Sequence, residues 1–215
     1  MRARHVKTIL LGFAAAVLLS QGPAAAAPLL EGFEYGAPRT EIEVRPGAVK
    51  GEADFKDDVF LKGVQWAGLA WTGQCHFKDG RLVGVSLYSA WSRDLLNRVS
   101  AYLKERQFHM LGLIVDDTAL DIINLVKLGG MEAFQKRYRE LVTAKVPQRI
   151  SYEWFDVQRL PQEQFMDATS LGQLLTLVPQ DTLQVDVTQS ASGEKLENGR
   201  LSVHFSFPVM DEMVK

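Results

Sequence analysis

Residues 59–89 read "VFLKGVQWAGLAWTGQCHFKDGRLVGVSLYS", and no other stretch limits the fold so strongly. Branched and aromatic residues crowd it, and Gly63, Gly68, Gly73 and the pair Asp79-Gly80 punctuate it. That is the pattern of strands joined by turns. The register of the last hairpin can be argued from the pattern alone. A loop of only Asp79-Gly80 sets Phe77 opposite Leu82 and scatters apolar residues over both faces. A loop of Lys78-Asp79-Gly80, with Gly80 left-handed, sets Cys75 opposite Val83 and Trp71 opposite Leu87. One face then holds Trp71, Gly73, Cys75, Val83, Val85 and Leu87, and the other Thr72, Gln74, His76, Gly84 and Ser86. The three-residue loop is therefore expected. It buries Cys75 and turns His76 to the opposite face, so the two neighbours cannot serve each other as nucleophile and base.

The fragment "LENGRLSVHFSF", residues 196–207, nearly repeats "FKDGRLVGVSLY". Counted from the glycine, the apolar set Val83, Val85 and Leu87 is one residue out of phase with Leu201, Val203, Phe205 and Phe207. A one-residue slip turns a strand over. The likeness is read as shared turn chemistry, not as a duplicated unit.

Elsewhere the elements follow from periodicity and stop signals. "TEIE", residues 40–43, predicts one helical turn capped by Thr40 and halted by Pro46. Residues 92–106 predict a helix capped by Ser92, with Leu95, Leu96, Val99, Tyr102 and Leu103 on its apolar face. "FHMLGLIV" predicts a strand. "DDTALDIINLVKL" predicts a helix capped by Asp116 or Asp117 and ended at Gly129-Gly130. A second helix runs from about Met131 to Lys145 with Phe134, Tyr138, Leu141 and Val142 inward. "RISYEWFDV" predicts a strand, "SLGQLLTLV" a short helix, and "TLQVDVTQ" and "RLSVHFSF" a closing antiparallel pair. The fold class expected is α+β: antiparallel sheet with helices packed on one face, as one domain over 27–215, with finer lobes at 27–107 and 108–215.

The first residues read as an address. Arg2, Arg4, His5 and Lys7 precede "TILLGFAAAVLLS", an apolar run of about 13 residues, the length of a signal core and too short to span a bilayer. Small residues then favour cleavage after Ala26, so residues 1–26 are expected to be a secretory signal and the mature protein periplasmic. No later segment is apolar enough to cross a membrane. Without Arg2, Arg4 and Lys7 the chain keeps 21 Lys+Arg against 26 Asp+Glu, a formal charge of −5. That balance argues against nucleic acid as a partner. One cysteine, Cys75, allows no internal disulfide.

Chemical motifs are scarce. "LIVDDTALDIINLV" resembles the magnesium-binding start of a response regulator, but no phosphorylatable Asp and later Lys complete the set. His76, His109 and His204 lie on separate strands without ligand spacing, so no metal and no cofactor are expected. There is no nucleophile elbow, no Ser-x-x-Lys and no phosphate loop. No catalytic residue is assigned. Lys136, Arg137, Arg139, Lys145 and Arg149 form a basic stretch, and Trp66 with Tyr88 lies on the predicted strands away from the Leu87 face. The expectation is a non-enzymatic binding or adaptor protein that meets another envelope protein through Trp66, Tyr88, Arg137 and Arg139. The alternative is a hydrolase-like envelope enzyme with a dispersed site among Asp116, Asp117, His76 and His109. The two differ in one observable: an enzyme needs two or more of those groups to converge in a pocket.

Overall fold

The computed structural model describes residues 27–192 and 195–208, the side chains of 192–198 excepted; the expected signal segment lies outside them. A small hairpin, β1 (Pro28–Leu30) and β2 (Phe33–Glu34), leads into α1 (Arg39–Glu43). There follow β3 (Ala48–Lys50), a 3₁₀ turn at Ala53–Phe55, β4 (Val59–Trp66), β5 (Leu69–Lys78) and β6 (Arg81–Ala90). Then come α2 (Arg93–Glu105), β7 (Phe108–Val115), β8 (Thr118–Asp121), α3 (Ile122–Ala144) and β9 (Arg149–Asp156). Short helices α4 (Gln162–Asp167) and α5 (Leu171–Leu175) precede the closing pair β10 (Gln184–Ser192) and β11 (Lys195–Ser206).

Nine strands form one antiparallel sheet in the order β3-β4-β5-β6-β11-β10-β9-β7-β8. The fold is mixed α+β. The last strand, β11, inserts beside β6, so the sheet runs unbroken across the boundary between residues 107 and 108. One face carries a continuous apolar row: Val59, Cys75, Val85, Phe205, Val185 and Trp154 are cross-strand partners in turn, and all are buried. The β1–β2 hairpin, α1 and α2 cover this row with Leu29, Leu30, Phe33, Ile42, Val99 and Leu103. Each such side chain contributes about 1.5–3 kcal/mol by leaving water. α3 covers the β7–β9 end of the same face, over Leu113, Val115 and Ile150. The short α4 and α5 pack on the other face at that end, around Phe155 and Leu111.

The β5–β6 turn departs from the expected three-residue loop. It is Asp79-Gly80 alone, with φ of 51° and 71°. Both central residues are left-handed, as a tight type I′ hairpin requires. Phe77 pairs with Leu82, and a bulge at Val83 then brings Cys75 opposite Val85 and Gly73 opposite Leu87. The bulge shifts the pairing by one residue, as the longer loop would have done but in the opposite direction, so the same parity is restored. The face shared by Trp71, Gly73, Cys75, Val85 and Leu87 therefore stands, while the individual pairings move and Val83, expected on that face, is the unpaired, half-buried bulge residue, with Leu82 buried in its stead. Bulging also accounts for the phase difference between the two "GRL" fragments. The second is no turn: Asn198 and Gly199 lie within β11.

Of three helix starts, two depart from the expectation. α1 forms, but Pro38 occupies its cap position and no side chain caps it. Ser92 caps α2 as expected, its Oγ accepting from Leu95 N at 3.1 Å. α3 begins at Ile122, not at Asp116-Asp117, because Thr118–Asp121 pairs with β7 instead of coiling. Asp121 is its cap, Oδ1 accepting from Asn124 N at 3.0 Å. The helix breaks at Gly129-Gly130 as expected; Gly130 has φ 69° and ψ −176°, a conformation essentially reserved for glycine.

Candidate functional site

The row adjacent to the apolar one, on the opposite face, is polar. Phe60, Gln74, Ser86, His204, Asp186, Glu153, Gly112 and Asp121 are successive cross-strand partners over eight strands. Period-two alternation produces both rows at once. Tyr88, Ser202, Thr188 and Ser151 form a parallel row beside it. Among the described residues no helix lies across the middle of this face, and α4 and α5 close only its β7–β9 end. His76, Tyr88, His204 and Asp186 are half-buried there, while Gln74, Ser86 and Ser151 are buried.

A chain of hydrogen bonds runs along the face. The Tyr88 hydroxyl donates to Gln74 Oε1 at 2.7 Å, and Gln74 Nε2 donates to Asp58 Oδ2 at 2.5 Å. Asp58 follows the 3₁₀ turn in the acidic stretch 52–58 and lies 3.4 Å from His76 Nδ1. His76 Nε2 is 2.8 Å from Ser86 Oγ, which is 2.9 Å from His204 Nδ1. The directions follow from the ends. A carboxylate only accepts, so His76 holds its proton on Nδ1. Burial keeps that imidazole neutral, holding its pKa below the ordinary value against the pull of Asp58. Its Nε2 must then accept the Ser86 proton, and Ser86 in turn accepts from His204 Nδ1. His204 is left with Nε2 as a bare acceptor. Gly84 makes space for that ring, since a Cβ there would meet His204 Cε1 at 3.0 Å.

Burial dominates the electrostatics. It brings His204 down to about 4, helped by the neighbouring His76. It pushes Glu153 up to about 6, reinforced by the negative charges of Asp186 and Asp121. Asp186 is raised as well, mainly by burial, with Gln184 and Arg149 opposing. A β-carbon on Gly112 would collide with the Glu153 carboxyl, so this glycine gives Glu153 its room. At the β4–β6 end of the face an open cavity of about 540 Å³ is lined by Phe55, Phe60, Thr72, Tyr88 and Arg200 among others. The Arg200 guanidinium stands over the Tyr88 ring at 5.1 Å.

The residues singled out from sequence scatter. Tyr88 is on the open face. Trp66 is buried on the covered face against Trp71, Tyr102 and Phe205, because its strand reaches the tight Ala67-Gly68 turn after a bulge near Gly63. Trp66 and Tyr88 therefore share no surface. Arg137 and Arg139 sit exposed on α3, where Arg137 pairs with Glu140 at 3.2 Å. Asp116 binds Gln148 N, Arg149 N and the Lys145 ammonium, and Lys145 holds its pKa below the usual range. His109 lies against Phe165. Four strands separate β5, which carries His76, from β7, so Asp116, Asp117, His76 and His109 do not converge. Among the described residues no three potential ligands gather as a metal would require.

The sequence reading missed Asp58, Gln74, Ser86, His204, Asp186 and Glu153 as a set. The signal was present as alternate polar positions on every strand, but assembling it needs the strand order. Comparison of the chain with family models, curated proteins and solved structures finds no match. The structure thus defines the class, a mixed α+β protein built on one large antiparallel sheet. No helix among the described residues is long and apolar enough to cross a membrane.

Proposed function

We propose that this is an exported, non-enzymatic binding protein of the bacterial envelope, which meets another envelope protein through the open polar face of its sheet. One observation carries the reading: a half-buried array of donors and acceptors, held in fixed orientation by the chain from Tyr88 to His204. Side chains already ordered in the free protein lose little freedom on binding, and a fixed pattern of hydrogen-bonding groups discriminates between partners. Tyr88, Thr72 and Arg200 form the contact region, beside Phe55, which is 53% exposed.

The order Asp58–His76–Ser86 favours a second reading, a serine hydrolase. Three features oppose it. Ser86 is 5% exposed. Its hydroxyl is engaged as donor and acceptor by two imidazoles. Ser86 is paired on both sides, with Gln74 on β5 and His204 on β11, so the backbone at the hydroxyl is committed to the sheet and not turned out as an oxyanion donor. The test has two arms. A fluorophosphonate probe is expected to leave Ser86 unlabelled; labelling that disappears in Ser86→Ala sinks the non-enzymatic reading. Capture from envelope extract is expected to yield a saturable partner that Tyr88→Ala/Thr72→Asp loses and Arg137→Ala/Arg139→Ala keeps. The reverse pattern moves the surface to α3.

A further inference from the structure

Four ring nitrogens belong to the hydrogen-bonded chain on the open face, two on His76 of β5 and two on His204 of β11, and three of them are engaged. His76 Nδ1 meets Asp58, while His76 Nε2 and His204 Nδ1 share the Ser86 hydroxyl. The two rings stand edge to face with centroids 5.4 Å apart. The fourth nitrogen, His204 Nε2, has no hydrogen-bond partner among the described residues. The buried unpaired polar atoms lie elsewhere, on Glu34, Trp154 and Thr182, so Nε2 is open to solvent. The chain therefore has a closed, negative end and an open one. Gln74 fixes the closed end: its Oε1 accepts from Tyr88, which turns its Nε2 onto the Asp58 carboxylate. A proton that joins the imidazoles finds one vacant nitrogen, the outward one.

We propose that His76, Ser86 and His204 form a one-proton relay that inverts the outward atom of His204 on acidification. The proton enters at His204 Nε2. His204 Nδ1 passes its own proton to Ser86 Oγ, and Ser86 passes its hydroxyl proton to His76 Nε2. One proton is gained, and its charge rests on His76, 3.4 Å from the Asp58 carboxylate. His204 is neutral again, as the other tautomer. Ser86 now accepts from His76 Nε2 and donates to His204 Nδ1, so both of its bonds are kept with their directions reversed. The outward Nε2 has changed from acceptor to donor. The surrounding charges favour this order. Asp58, just before β4, faces His76; Asp186 on β10 is the cross-strand partner of His204, with Glu153 beyond it on β9. Arg200 stands over Tyr88, and Lys78 lies two residues along β5 from His76. Burial holds both imidazoles below the ordinary value, but Asp58 draws charge onto His76 while His76 opposes charge on His204. A second proton would set two imidazolium ions side by side, and His204 resists it down to about 4. What the inversion regulates rests on the reading of this face as a binding surface: a partner that donates to Nε2 at neutral pH loses that bond in acid.

Long-range proton–nitrogen correlation spectra of the purified protein, labelled with nitrogen-15 histidine and titrated from about pH 8 to about pH 4.5, read each ring nitrogen directly. The expected result at the start is a proton on Nδ1 alone in both His76 and His204. On acidification His76 is expected to become imidazolium while His204 stays neutral, exchanging Nδ1–H for Nε2–H at the same midpoint. Ser86→Ala, with its fold checked by the amide spectrum, is expected to uncouple them, so that His204 keeps its tautomer while His76 titrates. Asp58→Asn keeps the Ser86 bridge and is expected to lower the shared midpoint by about one unit in both residues together. A His204 that becomes imidazolium ahead of His76, or that holds Nδ1–H in the wild type while His76 titrates, overturns the proposal. So does coupling that persists in Ser86→Ala, or a fall confined to His76 in Asp58→Asn. The spectra are those of the free protein, so the relay and the reading of the face as a binding surface fail separately.

Discussion

At the scale of single residues, Ser86 holds the open face together. Its one hydroxyl satisfies two imidazoles, so Ser86→Ala strands His76 Nε2 and His204 Nδ1 at once. The expected loss is about 2–4 kcal/mol in urea-denaturation stability, since each half-buried orphan costs about 1–2 kcal/mol. Glu153 and His204 give stability opposite slopes with pH. Glu153 is raised when folded, so the folded state binds the extra proton, and this contribution is present below the ordinary carboxylate range and lost as pH rises through about 6. His204 is depressed, so its contribution is present above the ordinary imidazole pKa and lost as pH falls through about 4. Glu153→Gln should therefore be more stable than wild type at pH 7.5, by about 1 kcal/mol once partial solvent screening is allowed for. That advantage should vanish near pH 4.5, where wild-type Glu153 is protonated. Thermal melts of the two proteins across this range check it, and parallel curves would show that burial does not govern the carboxyl.

At the scale of elements, local chemistry decides some boundaries and pairing decides others. The α2 cap and its apolar stripe are local, and both could be read from residues 92–106. So was the break at Gly129-Gly130. Gly130→Ala is expected to cost about 1–3 kcal/mol, because its backbone lies where L residues are strained. Gly172→Ala, in α5 where a β-carbon meets open space, is expected to stabilise by about 0.5–1 kcal/mol. Chemical denaturation of the pair separates a glycine needed for its conformation from one that is merely tolerated. The start of α3 was illegible because "DDTALD" offers acids at three positions, any of which could cap. Pairing of Gly112 with Asp121 settles the choice, and only the third acid reaches the helix. Asp121 also accepts from Leu171 N at 2.7 Å through its second oxygen, so it starts α3 and steadies α5 together. The candidate site was harder still. Its residues are spread from Asp58 to His204, and β6 meets β11 across more than a hundred residues of chain. Alternation says which residues share a face within a strand; it says nothing about which strand lies next door.

At the scale of the molecule, insertion of the last strand beside β6 ties the chain's two halves into one sheet, so opening any part of the centre opens both faces. Cys75 reports on this. It is fully buried in the central apolar row, and burial pushes its thiol up to about 12. A thiol-reactive reagent is expected to leave the native protein unmodified and to label it at the rate of global unfolding; fast labelling in native buffer would mean that the β4–β6 region opens by itself. The sheet's outer strands are also its shortest. β3 has three residues and β8 has four, and the second runs directly into α3. Such edges offer a neighbouring molecule very few unpaired backbone groups, and Lys50 puts a charge on one of them. A broad, nine-stranded sheet would otherwise be a template for endless strand-on-strand growth. Stunted margins make it self-terminating, so crowded copies can stay separate while the wide middle of the sheet remains free to be used.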